Sequence, residues 1–319
     1  MANSFRVVDY RLRPAKVVER RMMGEAFLRL RHFAAVERYA YVGMGSVYFA
    51  DFALFHAMCG FETMVSIEDT IDATQQDRFR FNAPFGSIQL EFGHTNSVLP
   101  RLKWKEPVVA WLDYTGQVDD TVIRDLRFLA TNVVSGSLIA VSVNTSHRDG
   151  GEPVTRKTLA DRLKGIQALP DWVLKADRFG PSIVPVYRDI LTQTILAAIN
   201  ARNAGQPADK YFVAEPVFFF TYSDNAPMMT LGWVVFAEEE RATFRACKFH
   251  ELKFAPPSPD EPFKIECPFI THAEMRAINK QHSKPGIPKS KPLPIPPSEV
   301  EKYEKIRRYW PVISIPELT

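Results

Sequence analysis

Tyr41-Val-Gly-Met-Gly-Ser-Val-Tyr-Phe49, followed by Met64-Val-Ser-Ile-Glu68, decides how this chain is read. An apolar run enters a turn built on Gly43 and Gly45, and a helix-like segment follows. A second apolar run then ends on Glu68, 25 residues after Gly43. A parallel α/β domain grips a nucleotide-like ligand in this way. Glycines let the ligand approach the backbone, and a carboxylate accepts hydrogen bonds from ribose hydroxyls. The dinucleotide turn carries a third glycine that leaves room for a pyrophosphate, but Tyr48 stands at that position, which argues against NAD or FAD. The plainer reading of the two glycines is a strand-to-helix turn with no ligand.

Outward from this stretch the same grammar repeats. Ile88-Gln-Leu-Glu-Phe92 reads as a third strand running into Gly93-His-Thr-Asn96, and Val108-Val-Ala-Trp-Leu-Asp113 as a fourth ending on an acid. Residues 126–133 have helical apolar spacing, Ser135-Gly136 breaks it, and Leu138-Ile-Ala-Val-Ser-Val143 is a fifth strand. Strands alternating with helices imply a parallel sheet with right-handed crossovers, whose ligands sit beyond the carboxyl ends of the strands. Gly43, Glu68, His94, Asn96, Asp113 and Asn144 all fall on that edge. Pro216-Val-Phe-Phe-Phe-Thr-Tyr222 and Met229-Thr-Leu-Gly-Trp-Val-Val-Phe236, joined by a short polar gap, read as an antiparallel hairpin. The expected fold is therefore a mostly parallel Rossmann-like sheet ending in an antiparallel hairpin.

Over roughly residues 38–238 the chain resembles a class I S-adenosylmethionine-dependent methyltransferase. More narrowly, it resembles a bacterial family labelled "putative O-methyltransferase". The matching pieces are Leu12-Arg-Pro-Ala-Lys16 with Glu19-Arg-Arg21, Tyr41-Val-Gly-Met-Gly-Ser46, Ser66-Ile-Glu68, Arg78-Phe-Arg-Phe-Asn82, Trp111-Leu-Asp-Tyr114 and the tail over residues 303–311. The resemblance implies S-adenosylmethionine as cofactor, with Gly43 and Gly45 facing its methionine part and Glu68 on the ribose. His94 or Asn96 would accept from the adenine, where many methyltransferases place an Asp. Asp113 would lie near the transferred methyl.

Methyl transfer is an in-line displacement, in which an enzyme supplies proximity, alignment and sometimes a base. Asp113 and Tyr114 stand where a base or substrate anchor belongs, although Asp113 could equally cap the turn that follows it. Asp113 and Asn144 are too few oxygen ligands for a protein Mg²⁺ site, so no metal is expected. Arg78, Arg80 and Asn82 fall in a polar break between strands and alternate with Phe79 and Phe81. In that reading both Phe point inward and both Arg form a clamp for an anionic or planar substrate; a surface edge segment is the alternative. The leading function is methyl transfer to an unidentified acceptor. Its rivals are a non-catalytic protein that keeps the fold to sense a nucleotide-like ligand or scaffold a partner, and a nucleic-acid methyltransferase.

Apolar residues make up 46% of the 319 and charged residues 24%, the balance of a globular chain rather than a disordered one. No run approaches the length of a membrane span, and no signal-peptide pattern opens the sequence. Three cysteines, Cys59, Cys247 and Cys267, lack metal-ligand spacing and fit reduced thiols in a cytoplasm. Charge is uneven. Residues 1–40 hold nine Lys/Arg against four Asp/Glu, and residues 280–319 hold eight against four, within a net charge of only +3. Lys16, Arg20 and Arg21 could form with the tail a basic surface for nucleic acid, or simply a solvated helix face. Three segments are expected. Residues 1–37 are a helical lead with an apolar stripe at Val17, Val18, Met22, Ala26 and Leu30, and residues 38–238 are the α/β domain with helices over 155–168 and 187–202. Residues 239–319 are an appendage with a helix capped by Thr271, a Pro/Lys-rich arm over 283–297, and a last helix capped by Ser298 with Glu301 in a capping box.

Overall fold

The computed structural model of the chain describes residues 13–166, 169–175, 179, 183–256, 258, 260–282 and 293–311. The first helix, α1 (Pro14–Arg29), leads into β1 (Ala40–Gly43), α2 (Ala50–Cys59), β2 (Thr63–Glu68), α3 (Ala73–Asn82), β3 (Ile88–Phe92), the single turn α4 (Thr95–Val98), β4 (Val108–Asp113), α5 (Asp120–Asn132) and β5 (Ser137–Asn144). A two-residue ribbon, β6 (Arg148–Asp149) and β7 (Glu152–Pro153), precedes α6 (Arg156–Leu163) and α7 (Ile183–Asn203). The hairpin β8 (Phe212–Ser223) and β9 (Pro227–Ala237) is followed by α8 (Arg241–Ala246), β10 (Phe263–Ile265), α9 (His272–His282) and α10 (Pro297–Ile306).

Eight strands form one sheet in the order β10-β8-β9-β5-β4-β1-β2-β3. Only β9 runs against its neighbours, β5 on one side and β8 on the other. The expected hairpin is therefore present, and β10, which the sequence reading did not anticipate, adds a parallel edge strand to β8. The chain order reverses between β1 and β4, the place where open α/β sheets leave a crevice for ligands.

Side chains of each strand alternate between two cores, as the two-residue period of a strand requires. Tyr41, Met64, Val109, Trp111, Leu138 and Phe218 face α1, α2 and the carboxy-terminal segment. Val42, Val65, Ala110, Leu112, Ile139 and Trp233 face α5, α6 and α7. The first core draws on Ala15 to Leu30 as well as Phe249, Phe254, Ile306 and Tyr309, so both ends of the described chain pack on the same sheet face. A bulge at Val217 shifts the register of β8 between Pro216 and Phe218, which puts Val217 and Phe218 in one core.

Three local expectations change. The segment Arg78-Phe-Arg-Phe-Asn82 is the last turn of α3, begun by Asp72, whose carboxylate caps the Thr74 N–H at 2.9 Å. A 3.6-residue period separates the two phenylalanines, so Phe79 is buried and Phe81 is 89% exposed. Ser298 does not cap α10; Pro296 takes that position and Pro297 opens the helix, where its missing N–H costs nothing. The helix expected over 155–168 starts as foreseen, with Thr155 Oγ1 accepting from the Thr158 N–H, and ends at Leu163. Thr271 caps α9 in a capping box with Glu274. Of the Pro/Lys-rich arm, residues 283–292 lie outside the described residues, as do Leu12 and the eleven residues before it.

Gly232 shows how tightly the hairpin is made. It lies opposite Phe218 across the β8–β9 pair, and a Cβ there would overlap the Phe218 ring. Gly232→Ala is expected to destabilise the fold by ~1–3 kcal/mol through overpacking. Gly86→Ala, where a Cβ meets nothing within 4 Å, should stay within about 0.5 kcal/mol of the parent. Urea unfolding of the two variants checks the contrast.

Candidate active site

β2, β4 and β5 deliver Glu68, Asp113 and Asn144 to the carboxyl edge, and β1 and β3 run there into glycine turns. At the end of β1 the glycines answer first to aromatic packing. A Cβ on Gly43 would stand 2.7 Å from the Tyr41 hydroxyl. One on Gly45 would meet the ring of Phe49, which opens α2 in a left-handed conformation at φ 45°. The Gly45 N–H donates to Ser66 Oγ at 3.0 Å, and Ser66 in turn donates to Glu68 Oε1 at 2.7 Å. Glu68 is therefore folded back toward the glycine turn and is 6% exposed. Burial pushes its carboxyl up to about 8, against the opposing pull of Ser66 and of the Gly45 and Ser46 N–H groups.

Beyond β3, Gly93 at φ +132° opens the turn, and His94 sits just ahead of α4 without capping it. Asn96 is committed elsewhere. Its amide donates to the Thr121 carbonyl at 3.2 Å and to the Asp125 carboxylate, tying α4 to α5. Tyr114 is turned to the same acid, donating its hydroxyl to Asp125 Oδ2. Burial first, and Asp125 next, hold that phenol well above its ordinary value, so Tyr114 braces β4 against α5 and is not poised as a base. Asn144 accepts from the Ser146 N–H at 2.7 Å and shapes the turn after β5. Arg78 and Arg80 are exposed on α3. Arg80 pairs with Asp77 at 2.7 Å and lies 5.0 Å from the Phe92 ring centre, so the two arginines lie on a solvent-facing helix edge and not in the irregular break between strands where they were expected.

The structure adds a centre that the sequence reading assigned to the surface. Lys16 is 2% exposed. Its ammonium lies 2.7 Å from Asp113 Oδ1, 2.9 Å from Glu19 Oε2 and 2.9 Å from the Tyr222 hydroxyl, and 4.5 Å above the Trp111 ring. Glu19, fully buried, also accepts from Thr230, which bonds Ser142 at 2.6 Å; Ser142 accepts from Trp111 Nε1 at 2.9 Å. Burial raises the Glu19 carboxyl and Asp113 adds to this, while Lys16 opposes it. Arg20, 5% exposed, is the second buried cation of α1, and its charge acts on Asp51, Tyr41 and Tyr222. Arg21 donates to the carbonyls of Tyr309 and Trp310. These three cations belong to the interior and to the contact between the two ends of the chain, and they form no surface patch. The residue types alone carried one signal of this: Lys16, Glu19 and Arg20 share a helix face, at i, i+3 and i+4.

Farther along the edge, about 680 Å³ of open space lies between the ends of β8 and β10 and the start of α7. Val184, Phe219, Met228, Ile265 and Cys267 line it, together with Tyr222. Among the described residues no helix is long and apolar enough to cross a membrane.

Two measurements test this electrostatic picture. Lys16→Met leaves Glu19 and Asp113 without their counter-charge and should cost ~3–5 kcal/mol, read by urea unfolding. Glu68 binds its proton more tightly folded than unfolded, so it opposes folding increasingly as pH rises from about 4.5 to about 8 and no further. The stability of the parent relative to Glu68→Gln should accordingly fall across that window and level off above it.

Among proteins of curated function, none matches the chain. Solved structures do. A "putative rRNA-methylase" from Clostridium thermocellum is 13% identical, over 63% of this chain and 88% of that one, with a TM-score of 0.34. A "putative O-methyltransferase" from Klebsiella pneumoniae is 14% identical over 66% and 79%, with a TM-score of 0.36. An O-methyltransferase family protein from Burkholderia thailandensis is 10% identical over 63% and 52%, at 0.34. The family described as "Putative O-methyltransferase" matches residues 8–316. The chain belongs to that family, and its sheet is the mostly parallel, Rossmann-like one that the sequence led us to expect.

Proposed function

We propose that the chain binds S-adenosylmethionine across the carboxyl ends of β1, β2 and β4 and methylates a hydroxyl acceptor. Glu68 carries this reading. A buried carboxyl at the end of β2, beside the Gly45 and Ser46 N–H groups and next to the β1/β4 crevice, suits a ribose. Its carboxylate oxygens give the ribose hydroxyls acceptors, and a bound ribose would favour the ionised form. The charge balance suits a sulfonium, because two carboxyls, Glu19 and Asp113, share the single ammonium of Lys16. When bound, the cofactor supplies an electrophilic methyl group.

The chain's own residues then do the positioning. Lys16 fixes Asp113 through Oδ1, while Asp113 Oδ2 has no partner among the described residues. That oxygen is free to accept a hydrogen bond from an acceptor hydroxyl. The Tyr222 hydroxyl, bonded to Lys16, ties this arrangement to the wall of the open space beyond the ends of β8 and β10. Alignment in a partly dry crevice, rather than a strong base, is the contribution this geometry supports.

Calorimetric titration with S-adenosylmethionine and S-adenosylhomocysteine tests the reading. Glu68→Ala should weaken binding by at least about tenfold, the loss of one charge-assisted hydrogen bond of ~1.5–3 kcal/mol. If the ribose selects the ionised carboxylate, affinity in the parent should rise with pH and level off above about 8. No binding by the parent protein, or unchanged affinity in Glu68→Ala, overturns the assignment.

A further inference from the structure

Arg20 is a buried cation without a matching anion. Its Nε is buried and makes no hydrogen bond. The residue as a whole is 5% exposed, and no described carboxylate forms an ion pair with it. A guanidinium carries five N–H donors in a rigid fork, and burying one unmatched is costly unless something completes it. Asp51, the acid whose carboxyl it steadies, is already bonded through Oδ2 to the Tyr41 hydroxyl at 2.7 Å.

The surroundings say where the missing anion would lie. Arg20 stands one helical turn beyond Lys16, whose ammonium holds Asp113 at the end of β4. Asp51 belongs to the first turn of α2, directly after the glycine turn that closes β1. Arg20 thus neighbours the residue that holds the end of β4 and acts on an acid that follows the end of β1, the two strands between which the order reverses. Glu68 lies on β2, on the far side of β1. With strands ~4.8 Å apart, the middle of the β1/β4 crevice and the β2 tip are separated by roughly 7 Å. A ligand with its ribose at Glu68 therefore points its other end toward Arg20.

The same neighbourhood selects the kind of anion. Lys16 and Arg20 face three acids, Glu19, Asp51 and Asp113, each at most 18% exposed. A phosphate chain would bring two or more negative charges against one unmatched guanidinium, with these acids close by. A single planar carboxylate meets the fork of one guanidinium bidentately and adds one charge only. Resting on the cofactor reading above, we propose that Arg20 anchors the carboxylate of the cofactor's amino-acid end, and so sets the direction in which the nucleoside lies across the sheet.

Two probes separate this assignment from the cofactor reading: S-adenosylhomocysteine and its decarboxylated analogue, which keeps the nucleoside, thioether and amine. By calorimetry the parent protein should bind S-adenosylhomocysteine at least tenfold more tightly than the analogue. Arg20→Met should erase that preference by weakening S-adenosylhomocysteine alone, and Arg20→Lys should restore part of it. A parent protein that binds both probes equally overturns the Arg20 assignment without any variant and leaves the cofactor reading intact. So does an Arg20→Met protein that keeps the parent's preference. Binding of neither probe to the parent removes the cofactor reading and this assignment together.

Discussion

The buried ammonium of Lys16 is the interaction on which the arrangement of this edge depends. It comes from a helix that precedes the sheet and touches the ends of two strands that are not neighbours, through Asp113 on β4 and Tyr222 on β8. An ammonium in a low-dielectric interior is tolerated only when acceptors and counter-charge surround it; here Asp113 and Tyr222 accept hydrogen bonds from it and Glu19 lies 2.9 Å away as an ion pair. The Trp111 face beneath it adds an electrostatic attraction without another polar group. Because Glu19 is anchored in turn through Thr230 and Ser142, α1 is seated on the sheet by directional bonds as well as by Val18, Met22 and Phe27.

A second acid organises the opposite face. Asp125, on α5, draws in Asn96 from α4 and Tyr114 from the turn after β4. The two hubs divide the labour along one strand end. Asp113 is held toward α1 and the crevice, while the very next residue is held toward α5. Successive residues of a strand point to opposite faces, and this is what lets adjacent residues serve a ligand site and a packing brace.

The sheet was legible because its strands are apolar runs bounded by turn residues, with Glu68, Asp113 and Asn144 closing three of them. Segments shorter than two periods were not. In Arg78-Phe-Arg-Phe-Asn82 the alternation mimics a strand over five residues, and only the Asp72 cap upstream marks the helix. The charged face of α1 was illegible for a different reason. A charge in a helix is solvent-facing unless it has a buried partner, and these partners lie far off: Asp113 and Tyr222 stand 97 and 206 positions from Lys16. β10 is three residues long, too short to register as a periodic signal.

The cap of α1 has a consequence for how the molecule comes into being. The first N–H groups of the helix, those of Ala15 and Lys16, are satisfied by the carboxylate of Asp224 in the β8–β9 turn, 209 and 208 residues later. Arg21 and Glu25 wait longer still, for Trp310 and Tyr309. A ribosome adding ~5–20 residues per second takes tens of seconds to deliver those partners. Through that interval the first helix carries a lysine, a glutamate and an arginine that have nothing to bury them. Sequence-distant contacts of this kind form late, so α1 takes its seat on the sheet only after the β8–β9 hairpin that carries Tyr222 and Asp224 has been made.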